Sequence, residues 1–288
     1  MKKMKQIELI RFGENALKQE NIQDAGIKAR MLLQHILNQT RQEIIINSEK
    51  IVNQNQIDEY EKSINKIING LPIQYITHNQ QFMGLEFYVD ENVLIPQPDT
   101  EVLVEQTIKI INQLSKNGKK VEVLDLCTGS GAIAISIGHY CNDLEITATD
   151  ISLKALEITK KNAKTNEVIN LEILKSDLFN ELSEKKFDVI VSNPPYIETE
   201  TIKKLSKDVQ AEPHIALDGG KDGLEFYRKI LNESHKYLRP NGYLLLEIGY
   251  NQGKIVTKLE CNNLKLITNE PIKDFEGNNR VVVFQKEG

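Results

Sequence analysis

Asn193-Pro194-Pro195-Tyr196 closes an apolar run, Phe187-Asp188-Val189-Ile190-Val191-Ser192. Such a run predicts a buried strand. The four residues then form a rigid polar loop at the carboxyl edge of a sheet, where open α/β folds bind ligands. The two prolines fix φ and donate no N–H, which leaves the carbonyls of Asn193 and Pro194 free to accept hydrogen bonds beside the Asn193 side-chain oxygen. That array suits a planar NH2 group with two N–H donors, and Tyr196 can stack on a flat π system. Asn193, Pro194, Pro195 and Tyr196 are therefore the candidate catalytic residues, and the chemistry they suit is that of an amide or an exocyclic amine.

A second constellation lies upstream. Asp125-Leu126-Cys127-Thr128-Gly129-Ser130-Gly131 ends one predicted strand and enters a helix. Glycines allow a tight turn and a close backbone approach to a nucleotide-like ligand. Ala134 can stand for a third glycine, so the loop alone leaves a nicotinamide reading open; no P-loop lysine follows, which counts against ATP or GTP. Asp150 ends the next strand, 19 residues after Gly131, where a carboxylate can accept from both ribose hydroxyls. Ser176-Asp177-Leu178-Phe179 ends the third; there Asp177 could accept from an adenine amine and Leu178 pack on the ring. Glycine loop, ribose acid, adenine edge and Asn-Pro-Pro-Tyr at successive strand ends is the order found in methyltransferases that use S-adenosylmethionine. The expected cofactor contacts are Cys127, Thr128, Gly129, Ser130, Gly131, Asp150, Asp177, Leu178 and Asn193. Blander roles compete: Gly129 and Gly131 as turn residues, Asp150 as the N-cap of a helix at 152–166, and Asp177 and Leu178 as loop structure alone. His35, His78, His139, His214 and His235 show no pairing with a nucleophile.

The elements that must hold these loops follow from periodicity. From residue 121, strands at 121–126, 144–149, 171–175, 187–192 and 243–248 alternate with helices at 132–140, 153–166 and 222–238, which implies a largely parallel sheet covered on both faces. Two last strands, 264–268 and 280–285, have the closeness of an antiparallel hairpin. Residues 1–70 have helical periodicity. Ile57, Tyr60, Ile64, Ile67 and Ile68 share a face, with Gly70 as the stop and Pro72 after it. Asp24 is placed to cap a helix carrying Ile27, Met31, Leu32 and Ile36. A bundle of this size is expected to have a thin core and to lean on a neighbour or partner. Phe82, Leu85, Phe87 and Val89 suggest a hairpin. Val93–Glu101, with prolines at 96 and 98, is a stiff connector capping a helix at 99–115. The expected organisation is a helical substrate-recognition domain at 1–75, a hairpin and connector at 76–100, and a catalytic domain at 101–288.

Composition narrows the classes. Of 288 residues, 40% are hydrophobic and 27% charged, as in an ordinary globular chain. Net charge is −5, from 36 basic and 41 acidic residues, which argues against nucleic acid as the main partner. The excess is uneven: residues 1–80 hold 11 basic and 9 acidic side chains. Cys127, Cys141 and Cys261 form no C-x-x-C pair and no His stands at metal spacing, so neither a disulfide framework nor a metal site is expected. Reduced thiols fit the cytoplasm. The basic start, Met1–Lys5, leads into no signal-peptide core, and no apolar run approaches membrane-helix length. A monomer is expected.

The chain resembles the release factor glutamine methyltransferases (PrmC, also called HemK). The resemblance rests on Asn193–Tyr196 after its strand, Asp125–Gly131, the Ile95–Glu101 connector, and Glu212-Pro213 followed by Ala216-Leu217-Asp218-Gly219-Gly220 and Asp222-Gly223-Leu224. It covers nearly the whole chain. Asn-Pro-Pro-Tyr alone is shared with adenine-N6 and cytosine-N4 DNA methyltransferases; the other segments are more specific. The resemblance implies a class I, Rossmann-like methyltransferase domain with a seven-stranded, mostly parallel sheet, preceded by a small α-helical bundle. It implies S-adenosylmethionine as cofactor and the glutamine of the Gly-Gly-Gln motif in peptide chain release factors as target, held by residues 193–196, with the bundle gripping the release factor. Three positions depart from the family pattern: Gln97 stands where arginine is usual, and Cys127 and His78 where glycine is common. Gln cannot clamp a carboxylate as a guanidinium does, which puts the connector's role in question. A ribosomal-protein glutamine methyltransferase, a nucleic-acid adenine methyltransferase and a non-catalytic adaptor are the competing readings.

Overall fold

A computed structural model describes residues 3–268 and 270–288. Met1 and Lys2 of the basic start lie outside them. The chain forms two compact units, one of Met1–His78 with Leu205–Ala211, the other of Asn79–Lys204 with Glu212–Gly288.

The smaller unit holds β1 (Met4–Lys5), α1 (Gln6–Gln19), α2 (Ala25–Leu37), α3 (Arg41–Ile46), β2 (Ile51–Val52), α4 (Gln54–Ile68) and α5 (Ile73–Thr77). Its core is its own: Leu9, Leu17, Leu32, Leu33, Ile57 and Tyr60 are wholly buried in one cluster. Tyr60 is the reason three helices pack so closely. Its hydroxyl donates to Ala29 O at 3.0 Å, and a Cβ on Gly13 would stand 2.2 Å from the Tyr60 hydroxyl oxygen. The same packing corrects the expected face of α2. Ala25, Ala29, Leu32 and Leu33 point inward, with the Ala29 carbonyl taking the Tyr60 hydroxyl, while Ile27 and Met31 are 56% and 38% exposed. Asp24 precedes α2 without a side-chain cap bond. Gly70 ends α4 at φ +100°. Its N–H donates to Ile67 O and that of Leu71 to Lys66 O, the closing pattern of a Schellman motif.

The larger unit begins with a hairpin, β3 (Gln80–Phe82) and β4 (Leu85–Phe87), whose turn residues Met83 and Gly84 both take positive φ, as a two-residue hairpin loop requires. After a 3-10 turn at Pro98–Thr100 come α6 (Glu101–Leu114), β5 (Val121–Leu126), α7 (Ala132–Tyr140), β6 (Leu144–Asp150), α8 (Leu153–Thr165), β7 (Leu171–Lys175), β8 (Phe187–Ser192), α9 (Glu225–Tyr237), β9 (Leu238–Glu247), β10 (Leu264–Leu266), β11 (Ile272–Lys273) and β12 (Asn279–Lys286). The sheet runs β10-β12-β9-β8-β5-β6-β7, with β11 added beside β12. Strands β7, β6, β5, β8 and β9 are parallel; β12 runs antiparallel to β9 and β10. The seven expected strands are all present, and the two-residue β11 is an addition within the terminal connection. β9 starts five residues earlier than the periodicity implies. Leu238 already pairs with Phe187, and the register then slips before Tyr243 meets Val189, so Pro240-Asn241-Gly242 is an irregularity within the strand.

Apolar clusters cover both sheet faces. The chain lays β6 and β7 on one side of β5 and then crosses back to place β8 on the other. The crevice between the carboxyl ends of β5 and β8 is therefore the switch point at which such sheets take ligands. The glycine loop leaves β5 there, and Asn193 leaves β8 there.

Candidate active site

At the end of β5 the chain turns sharply: Cys127, Gly129 and Gly131 have φ of +60°, +56° and +83°. The two glycines do different work. A Cβ on Gly129 would meet nothing within 4 Å, whereas one on Gly131 would lie 2.7 Å from Ile135 Cδ1 and 2.8 Å from Thr159 Cγ2. Gly129 leaves room for a ligand; Gly131 lets α7 and α8 close. α8 also fixes the loop's carbonyls. Thr159 Oγ1 donates to Gly129 O at 2.9 Å and Asn162 Nδ2 to Ser130 O at 2.9 Å.

Asp125 forms the floor. Its Oδ2 accepts from Thr128 Oγ1 at 2.6 Å and from Ala134 N at 3.2 Å; its Oδ1 is buried without a hydrogen-bond partner. Burial pushes its pKa up to about 7. Asp150 grips two loops at once, with Oδ2 accepting from Gly129 N and Oδ1 from Ser152 N, each at 2.9 Å. Burial raises its pKa against those hydrogen bonds. The N-cap of α8 is Ser152, which accepts from Ala155 N, so Asp150 is not that cap. Ser176 Oγ donates to Leu178 O at 2.7 Å and accepts from Glu181 N at 3.1 Å, which pins the Asp177–Leu178 corner with Leu178 at φ +49°.

These loops border one cleft of ≈ 280 Å³. Of the residues singled out by sequence, Cys127, Gly129, Asp150, Asp177, Leu178, Asn193 and Pro195 line it. Thr128, Ser130, Gly131, Pro194 and Tyr196 do not; the first two are buried within the loop itself. Burial, with Asp150 and Asp125 nearby, drives the Cys127 thiol far upward, so it stays protonated and is no nucleophile. Sequence reasoning missed the opposite wall, made by Asn92, Val93 and Leu94 of the connector, Pro213, Ile215 and Ala216, and Phe226 of α9. Glu212 ties two parts of that wall together: its buried carboxylate accepts from Ile95 N at 2.8 Å. Gln97 is exposed and its amide donates to Ile95 O at 3.1 Å.

The Asn-Pro-Pro-Tyr loop is held from behind. Asn193 Nδ2 donates to Thr100 Oγ1 at 3.2 Å. That bond uses the amide nitrogen and leaves Oδ1 as an acceptor. The Tyr196 carbonyl accepts from Gln252 Nε2 at 2.9 Å. The Tyr196 phenol is pushed upward, by burial first and by the Glu247 carboxylate second. Gly219 is obligatory for space, since a Cβ there would stand 2.7 Å from Tyr196 Cα and 2.9 Å from Pro195 O. Among the described residues no group of three or more His, Cys, Asp or Glu could hold a metal ion. Among the described residues no helix is long and apolar enough to cross a membrane.

Open space over Gly129, an orphaned acid oxygen beneath the loop and a second acid at the next strand end fit a nucleoside carrying a cationic tail. Fold and cleft together define a class I, Rossmann-like methyltransferase. In agreement, the Methyltransferase small domain family matches residues 105–220 and the PrmC N-terminal domain family matches residues 8–77. A methyltransferase from Pyrococcus furiosus shares the fold, at TM-score 0.51 and 21% identity over 79% of this chain and 98% of its own. The release factor glutamine methyltransferase of Clostridium acetobutylicum is 41% identical over 95% of this chain and 96% of its own length. That of Clostridium botulinum is 39% identical over 97% and 98%. The chain belongs to the release factor glutamine methyltransferase family.

Proposed function

We propose that this enzyme methylates the side-chain nitrogen of the glutamine in the Gly-Gly-Gln motif of peptide chain release factors, with S-adenosylmethionine as donor, and so supports translation termination. The observation that carries the reading is the Asn193 amide, whose nitrogen is committed to Thr100 and whose oxygen is left to accept at the rim of the cleft. The cofactor would be held by the Gly129 backbone, Asp150 at the ribose, and Asp177 with Leu178 at the adenine; bound there, it supplies an electrophilic methyl group.

An amide nitrogen is a poor nucleophile because its lone pair is delocalised into the carbonyl. The Asn193 oxygen and the Pro194 carbonyl would take the two N–H groups, favour a pyramidal nitrogen and aim its lone pair into the cleft. Those hydrogen bonds strengthen as positive charge grows on nitrogen, so they favour the transition state over the ground state. Proximity supplies much of the remainder, and the proton leaves to solvent. The helical unit would hold the release factor, the enzyme would work as a cytoplasmic monomer, and no nucleic acid is needed for recognition.

The test is methyl transfer from labelled S-adenosylmethionine to a purified bacterial release factor, beside a variant whose Gly-Gly-Gln glutamine is changed to alanine. Label on the intact factor alone is expected. Label on neither, with cofactor binding confirmed, would overturn the substrate.

A further inference from the structure

The sheet edge that carries Asn193 also carries two exposed aromatic rings. Ser192 of β8 pairs with Leu246 of β9, and Leu246 with Val282 of β12. Strand spacing therefore puts β12 about 10 Å from β8 at the row where Asn193 begins its loop. Because β12 runs against the parallel strands, the turn that joins β11 to β12 rises from this same carboxyl edge. Phe275 in that turn is 84% exposed, and Tyr250, just past the end of β9, is 66% exposed. Single exposed apolar side chains are ordinary; what sets these two apart is their mounting. Buried Asp274 closes the turn. Its Oδ1 accepts from Glu276 N at 3.0 Å and from Asn278 N at 2.9 Å, and its own N–H donates to Asn278 O at 2.9 Å. Its Oδ2 takes Arg280 Nε at 3.2 Å and Nη2 at 3.0 Å. The same Nη2 reaches Asp99 Oδ2 at 2.7 Å, next in the chain to the Thr100 that bonds Asn193. The Tyr250 loop is braced by Gln252, whose Nε2 donates to Tyr196 O at 2.9 Å and whose Oε1 accepts from Gly249 N at 3.0 Å. Both rings thus stand on loops fixed to the segments that hold Asn-Pro-Pro-Tyr.

We propose that Phe275 and Tyr250 form a docking rim for the protein substrate, bearing on the release-factor polypeptide that flanks the target glutamine. The occupant follows from position. The expected cofactor residues Cys127, Asp150 and Asp177 follow β5, β6 and β7, on one side of β8. That leaves the β9 and β12 side for the protein that carries the glutamine. A glutamine that reaches Asn193 brings its own backbone and neighbouring residues to this edge, within reach of a rim one or two strands away. Rings on rigid loops lose little conformational freedom on binding, and a few aromatic anchors carry most of the energy of a protein interface. The rim sets affinity for the factor, while Asn193 sets the rate of transfer.

The inference rests on the release-factor reading, and the test separates the two. Phe275→Ala should raise KM for the release factor about tenfold, the scale of losing an aromatic anchor. Its kcat and its affinity for S-adenosylmethionine should stay close to wild type, as when uniform binding energy is removed. Phe275→Tyr, which restores the ring, should recover most of the loss, and Tyr250→Ala should act in the same sense as Phe275→Ala. Ile169→Ala is the control. That side chain is 96% exposed but precedes β7, at the opposite edge of the sheet, so KM should not move. An unchanged KM in Phe275→Ala would overturn the proposal. So would a wild-type dimer that Phe275→Ala dissolves without a change in KM, which would assign the rim to a second copy of this chain. Wild type that transfers no methyl group overturns the substrate reading. Titration with the release factor whose Gly-Gly-Gln glutamine is alanine then decides the rim: binding about tenfold weaker in Phe275→Ala supports it, and equal binding or none overturns it.

Discussion

At the scale of single residues, Asn193 and Cys127 make opposite demands. Asn193 should be irreplaceable, since its nitrogen is committed to Thr100 at 3.2 Å and, in the proposed mechanism, its oxygen takes the reacting amide. Asn193→Ala should lower kcat by about a hundredfold or more, the scale of losing one preorganised polar contact to a charged transition state. Cofactor affinity and melting temperature should change little; turnover within a few-fold of wild type would sink the account of the loop. Cys127 stands where the resemblance leads one to expect glycine, and its φ of +60° lies in the left-handed region that favours glycine. Cys127→Gly should relieve about 1–2 kcal/mol of left-handed strain, offset by roughly 0.4–1 kcal/mol of added unfolded-state entropy. A net gain of about 0.5 kcal/mol in urea denaturation, with activity retained, is the expected outcome. His78, the other departure from glycine, also takes positive φ, +52°. Both were visible in sequence as exceptions, but the backbone geometry that explains them was not.

At the scale of elements, strand ends were legible and cleft walls were not. Each strand of the parallel sheet carries a run of β-branched and aliphatic residues, and each ends at a turn signal, so β5 through β8 and the loops that follow them could be located from pattern alone. Asn92–Leu94, Pro213–Ala216 and Phe226 line the same cleft through long-range packing. Glu212 bonding Ile95, 117 residues away, leaves no local period to read. Glycines bridge the two cases. Gly131 and Gly219 both lack room for a methyl group, but against different neighbours: α7 and α8 for the first, the Asn-Pro-Pro-Tyr backbone for the second. Gly131→Ala should therefore weaken S-adenosylmethionine binding, because the glycine loop shifts. Gly219→Ala should lower kcat and leave cofactor affinity close to wild type. Overpacking of this kind costs about 1–3 kcal/mol. Isothermal titration beside steady-state kinetics distinguishes them, and equal loss of binding in both variants would refute the division of labour.

At the scale of the whole molecule, two buried acids should shape stability against pH. Asp125 and Glu247 are each pushed up to about 7, chiefly by burial. Their folded pKa values stand above the unfolded ones, so each contributes stability that is fully present below about pH 4. That stability is lost as pH rises through 7, because the unfolded chain ionises them more readily. A rise from 4.5 to about 7 corresponds to about 3 kcal/mol for Glu247. Exposed carboxylates act in the other sense: Glu14, Glu43 and Asp222 are lowered by their hydrogen-bond partners, and such groups lose their contribution as acid protonates them. Stability should thus peak at mildly acidic pH and decline toward pH 8.5. Urea midpoints measured between pH 5.5 and 8.5 should fall in wild type and fall less in Glu247→Gln, so the variant gains stability at pH 8.5. Parallel curves for the two proteins would show that Glu247 carries no such burden.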